Sequence, residues 1–116
     1  MKKFLAIYLG SAAALDKWKL MEEVERKEKE KAGKKAWGKW VEANKASIVD
    51  RGAPLGKTKR ISADGISDTR NEVGAYTIVQ AESHEAAAKL FENHPHFTNF
   101  PGQAIEVMEC LPIPGM

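Results

Sequence analysis

Residues 3–9, Lys-Phe-Leu-Ala-Ile-Tyr-Leu, mix β-branched, aromatic and aliphatic side chains with no polar face among them. Alternate residues of a strand point to opposite faces of its sheet, so a strand apolar at both sets of positions needs a cover on each side. That requirement constrains the fold more than any other feature of the chain. The basic start Met1-Lys2-Lys3 and the small residues Ser11-Ala12-Ala13-Ala14 also imitate a secretory signal around the same run. The run is at the short limit of about 7 residues for a signal core. Cleavage near Ala14 would remove the best strand-like segment, so the strand reading is preferred.

With 116 residues, the chain reads as a single domain spanning 1–116. From Ala12 to Asp50 there is no proline, and Ala, Lys, Glu and Leu dominate, which favours helix throughout. Leu15, Trp18 and Met21 repeat at three-residue steps, but the charged run 25–31 has nothing to bury, so Gly33 is the expected weak point. The apolar pattern resumes at Trp37, Trp40, Val41, Asn44 and Ile48 on one helical face, and Arg51-Gly52-Ala53-Pro54 supplies the stop. Residues 57–62 read as a half-exposed strand, Ala63-Asp64-Gly65 as a turn and 66–72 as polar loop. Residues 75–81 form a clear strand, with Tyr76 and Ile78 on one face and Ala75, Thr77 and Val79 on the other. Ser83 caps a helix through Ala87, Leu90 and Phe91 that stops at Asn93, before Pro95. A last strand occupies 104–111.

The order β, long α, β, β, short α, β gives an α+β class: a ferredoxin-like βαββαβ plait with a four-stranded antiparallel sheet and both helices on one face. The helices cover one side of the first strand only. A second copy of the chain is the simplest cover for the other, which predicts a homodimer whose sheets face each other in a barrel-like arrangement, and a small-molecule cavity between sheet and helices.

Several stretches resemble the YCII-related family of dimeric α/β barrels. They are Gly74-Ala75-Tyr76-Thr77-Ile78-Val79-Gln80-Ala81-Glu82-Ser83, Asn93-His94-Pro95-His96-Phe97, Ile105-Glu106-Val107, Trp37-x-x-Trp40 and Val49-Asp50-x-Gly52-x-Pro54-Leu55-Gly56. The resemblance runs in order over about residues 3–112. It implies the plait and the dimer, and an activity that in some members looks like that of small-molecule lyases or dehydrohalogenases. The enzymatic members resemble one another in an N-terminal histidine that works with an aspartate. This chain has no histidine before His84, and Asp64-Gly65 continues as Ile66-Ser67 where another branch has Asp-Gly-Pro-Phe.

His94-Pro95-His96 is the most chemical-looking feature, because an extended His-x-His can aim two imidazoles at a ligand or a proton. The same corner can instead cap helix carbonyls and turn the chain. Further metal ligands at fitting spacing are missing, so no metal is expected, and no cofactor is assigned. Glu106 lies between Ile105 and Val107, which aims it at the dimer side of the sheet if they face the helices. Once covered there it needs a partner. Tyr76 shares that side, and Tyr8 is expected to line the same region. Trp37 and Trp40 are core residues or an aromatic wall to a pocket. Asp50, unfavourable at a helix C-terminus, is expected to pair with Lys57 or Arg60. The catalytic candidates are therefore His94, His96, Glu106 and Tyr76, and the pocket-lining candidates Tyr8, Trp37, Trp40 and Asp50.

Partners other than a second copy and a small molecule find little support. The net charge is +2, and the ten Lys/Arg of residues 16–45 are interleaved with seven Asp/Glu, which cancels the field a nucleic acid needs. No apolar run approaches the roughly 20 residues that span a bilayer. A single cysteine, Cys110, points to a reducing, cytoplasmic setting. The chemistry expected is lyase-like or proton transfer on a small molecule, and the alternative is a noncatalytic ligand-binding or structural domain.

Overall fold

The computed structural model describes residues 1–115. Its elements are β1 (Lys2–Leu9), α1 (Ala12–Leu20), α2 (Glu23–Ala43), β2 (Ile48–Asp50), β3 (Thr58–Ser62), β4 (Gly65–Thr69), β5 (Val73–Ala81), α3 (His84–Lys89), α4 (Pro95–Thr98) and β6 (Ala104–Glu109). The main sheet has the order β2-β5-β1-β6 with antiparallel neighbours, which is the strand order of a ferredoxin-like plait. The apolar strand β1 is central, between β5 and β6. Phe4, Ala6 and Tyr8 face the helices with Val79, Ala81, Ala87 and Phe91 as the buried core, and Trp37 and Trp40 pack against it.

Local chemistry explains the boundaries. Ser11 and Ser83 accept from the backbone N–H of Ala14 and Ala86, capping α1 and α3 as oxygen-bearing side chains do at helix starts. The segment after α3 turns through Asn93 at φ 57, a left-handed conformation that asparagine tolerates, and Pro95 opens α4. The charged run is helical and exposed, with Glu23–Lys27 at 2.9 Å and Glu25–Lys29 at 3.8 Å.

Three segments correct the sequence reading. The helix breaks at Met21–Glu22, whose backbones are extended, and α2 runs straight through Gly33. Gly33 is instead a contact glycine, since a Cβ there would lie 2.4 Å from the Phe100 ring. The long helix stops at Ala43, and Ile48 belongs to β2, the second strand of the plait. The segment 57–62 assigned to that place pairs instead with 65–69, where a turn ending at Gly65 and a polar loop from 66 are expected, in a separate hairpin. Its exposed positions leave no burial alternation to read in the sequence.

Candidate functional site

The sheet sorts the candidate residues onto its two faces. Tyr8 pairs with Ala75 and Ile105, so it shares the helix-facing side with Thr77 and Val107. Ile7 pairs with Tyr76 and Glu106, so those three form one row across the opposite, open face. The expectation that Tyr8 lines the same region as Tyr76 is thereby corrected: one residue of register decides the face, and the two tyrosines stand back to back.

On the helix side, His94 is buried among Tyr8, Trp37, Trp40 and Phe91, with the Trp37 and Trp40 rings 4.4 and 4.5 Å from its own. Trp40 is fixed by its Nε1–H, which donates to the Leu90 carbonyl at 2.9 Å. His94 caps α4, its Nδ1 accepting from the backbone N–H of His96 at 2.9 Å. Burial first, and the neighbouring His96 second, push its pKa down to about 3, so the ring is neutral at pH 7. An accepting Nδ1 then leaves the ring proton on Nε2, 3.5 Å from the Tyr8 hydroxyl.

The rest of the array follows in one direction. Tyr8 donates to Thr77 Oγ1 at 2.9 Å, and Thr77 donates to the carbonyl of Arg51 at 3.2 Å. Burial pushes the Tyr8 phenol up to about 12, which keeps it protonated. Each hydrogen in this chain has an acceptor, and the last acceptor is a backbone carbonyl. The array ties α4, β1, β5 and the segment after β2 together.

His96 does similar work at the strand ends. Its Nε2 lies 2.8 Å from the Leu9 carbonyl and 3.0 Å from that of Ala104, so an Nε2–H clamps the end of β1 to the start of β6. Its pKa is lowered by burial, against the opposing effect of these two bonds. Asp50 sits in the edge strand, and its carboxylate accepts from the Gly52 N–H at 2.8 Å rather than pairing with Lys57 or Arg60. The structure thus gathers Tyr8, Trp37, Trp40, His94 and His96, and leaves Tyr76 and Glu106 across the sheet and Asp50 at its edge.

Space follows the same division. The volume expected to form a cavity between sheet and helices is taken up by Tyr8, Trp37, Trp40, Phe91 and His94. A surface cleft of about 370 Å³ lies elsewhere, between Trp18, Met21, Lys29 and Phe100, and a smaller one of about 160 Å³ lies by Leu15 and Arg70. None of the eight candidates lines either cleft. Thr77 is the site residue that sequence reasoning missed. A threonine in phase with buried Val79 is the available signal, because a buried hydroxyl requires a partner.

With this geometry established, comparison with known proteins bears on the fold. No known family profile matches the chain, and no curated protein matches it. Among solved structures, the 5-chloro-2-hydroxyhydroquinone dehydrochlorinase TftG of Burkholderia phenoliruptrix AC1100, in complex with 2,5-dihydroxybenzoquinone, aligns with 90% of this chain and 89% of its own. The identity is 22% and the TM-score 0.50. What the two share is the fold. Among the described residues, no helix is long and apolar enough to cross a membrane.

Proposed function

We propose that the protein acts as a homodimer of the YCII-related, dimeric α/β-barrel kind, and that it binds a small molecule between the facing sheets and handles it by lyase-like proton transfer. The observation that carries this reading is the open sheet face. Leu5, Ile7, Tyr76 and Ile78 are half-buried there and Met108 is exposed, and in their midst Glu106 stands in one row with Tyr76. An apolar face of this extent calls for a cover, and a carboxylate and a phenol flanking Ile7 in one row supply a base and an orienting hydroxyl to a ligand lying across that row. The fold shared with a dehydrochlorinase supports the class of chemistry and assigns no residue.

His94 and His96 have no part in this proposal, because their bonds to backbone groups and to Tyr8 leave them structural. That same observation favours a second reading, a ligand-binding domain without catalysis. Light scattering and calorimetry with 2,5-dihydroxybenzoquinone test the first part. The native chain is expected to be a dimer that binds this probe, and Glu106→Gln and Tyr76→Phe are expected to remain dimeric and bind it at least about tenfold more weakly. A monomer, or unchanged binding in both variants, overturns the proposal. Chloride release from 5-chloro-2-hydroxyhydroquinone separates the two readings, since saturable binding with no chloride produced selects the noncatalytic one.

A further inference from the structure

We infer that the hairpin β3–β4 is an arm that packs the Ile61–Ile66 face against a second copy of the chain. This inference rests on the homodimer proposed above and adds a second region to its interface. The hairpin pairs only with itself and with no strand of the main sheet. Its five pairs run from Thr58↔Thr69 to Ser62↔Gly65 without a bulge. A two-stranded hairpin alone in water is marginally stable. Its side-chain bonds are internal, between Lys59 and Asp68 and from the Asp64 N–H to the Ser62 hydroxyl.

The hairpin is amphipathic by register. Ile61 faces Ile66 across the ladder, and with side chains alternating along each strand this pair shares a face with Lys59 and Asp68. Thr58, Arg60, Ser62, Ser67 and Thr69 take the other face. Both isoleucines are 73% exposed. Two large β-branched side chains directly opposite each other support the ladder by their own contact, and covering them removes further apolar surface from water.

Area identifies the cover as a second copy. The chain exposes 8441 Å², whereas a compact monomer of its mass exposes roughly 6,300 Å². Its radius of gyration is 16.1 Å, against about 13 Å for a compact domain of this length. The excess is about 2,000 Å², while one side of a standard interface accounts for about 800 Å². The open sheet face and the separate hairpin, whose two isoleucines are 73% exposed, both contribute to that excess. A symmetric dimer uses the same arm twice, once from each copy.

Sedimentation of three proteins tests the arm: the native chain, Ile61→Asp/Ile66→Asp, and the polar-face control Arg60→Ser/Ser67→Ala. Neither isoleucine packs on its own subunit's core, so circular dichroism of all three should agree. The native chain and the control are expected to be dimers of equal affinity, and the isoleucine variant to dimerise roughly 100-fold or more weakly. Trypsin provides a second readout, because Lys57, Lys59, Arg60 and Arg70 are in or beside the hairpin. Cleavage there is expected to be slow in the native dimer and fast in the isoleucine variant. A native dimer with equal affinity in the isoleucine variant and a freely cut arm overturns the arm and leaves the homodimer standing. A monomeric native chain overturns both.

Discussion

Acid destabilises this protein through His94. In the folded chain the imidazole is buried and its pKa is near 3, while in the unfolded chain it returns to about 6.5. Between those values the unfolded chain binds a proton that the folded chain refuses, so stability falls as pH falls below about 6.5 and goes on falling toward about 3. One pKa unit is worth about 1.4 kcal/mol, which makes the loss from this one ring about 2 kcal/mol at pH 5. His96 contributes with the same sign, since burial lowers its pKa too. Urea unfolding at fixed protein concentration, from about pH 7.5 to pH 5, measures the effect. His94→Asn isolates it, because the amide oxygen takes over the cap to the His96 N–H but does not titrate, and His96 is present in both proteins. The native chain starts out more stable through its packed ring, and its advantage over the variant is expected to shrink by about 2 kcal/mol at pH 5. An advantage that stays constant over this range would refute the buried neutral imidazole and, with it, the proton positions assigned from His94 to Arg51.

Four further substitutions probe the same framework by thermal unfolding. Gly33→Ala and Gly38→Ala lie in one helix, yet should act with opposite signs: the Gly38 methyl meets nothing within 4 Å and gains helix propensity of about 0.5–1 kcal/mol. The Gly33 methyl must displace the Phe100 ring at 2.4 Å, for a net loss of about 1–3 kcal/mol. Gly52→Ala should cost more than either, because at φ 72 its Cβ would sit 1.6 Å from the Tyr76 carbonyl oxygen. Thr77→Val removes the acceptor of the Tyr8 hydroxyl at constant shape, and should cost about 1–3 kcal/mol for the orphaned buried donor.

The strands that carry the core were legible because their burial is periodic. Thr77, Val79 and Ala81 are buried at alternate positions, and β1 is apolar on both sides, so period and composition agree. The hairpin and β2 were not. An exposed hairpin has no buried face to impose alternation, and Ile48 falls on both the helical stripe of α2 and the start of a strand. Local pattern also misjudged Gly33, since a glycine that weakens a helix and one that admits a neighbouring ring look the same in sequence.

The candidate site shows the same limit one level higher. His94, His96, Trp37 and Trp40 were singled out from residue type and spacing, and the fold does gather them. Which face Tyr8 and Tyr76 occupy relative to each other depends on the pairing Tyr8↔Ala75, a long-range register that neither strand encodes alone. The direction of the hydrogen-bond chain depends on one backbone N–H, that of His96, reaching His94 Nδ1.

The central position of β1 has a kinetic consequence. Phe4 must find both Val79 and Glu109, so the sheet closes only after most of the intervening chain has been brought into place. Loops of that length are entropically slow to close, and nonlocal strand pairing places folding toward the millisecond-to-second end of the range for small domains. During that interval an unpaired segment apolar on both faces is open to other chains, so refolding yield is expected to fall as protein concentration rises.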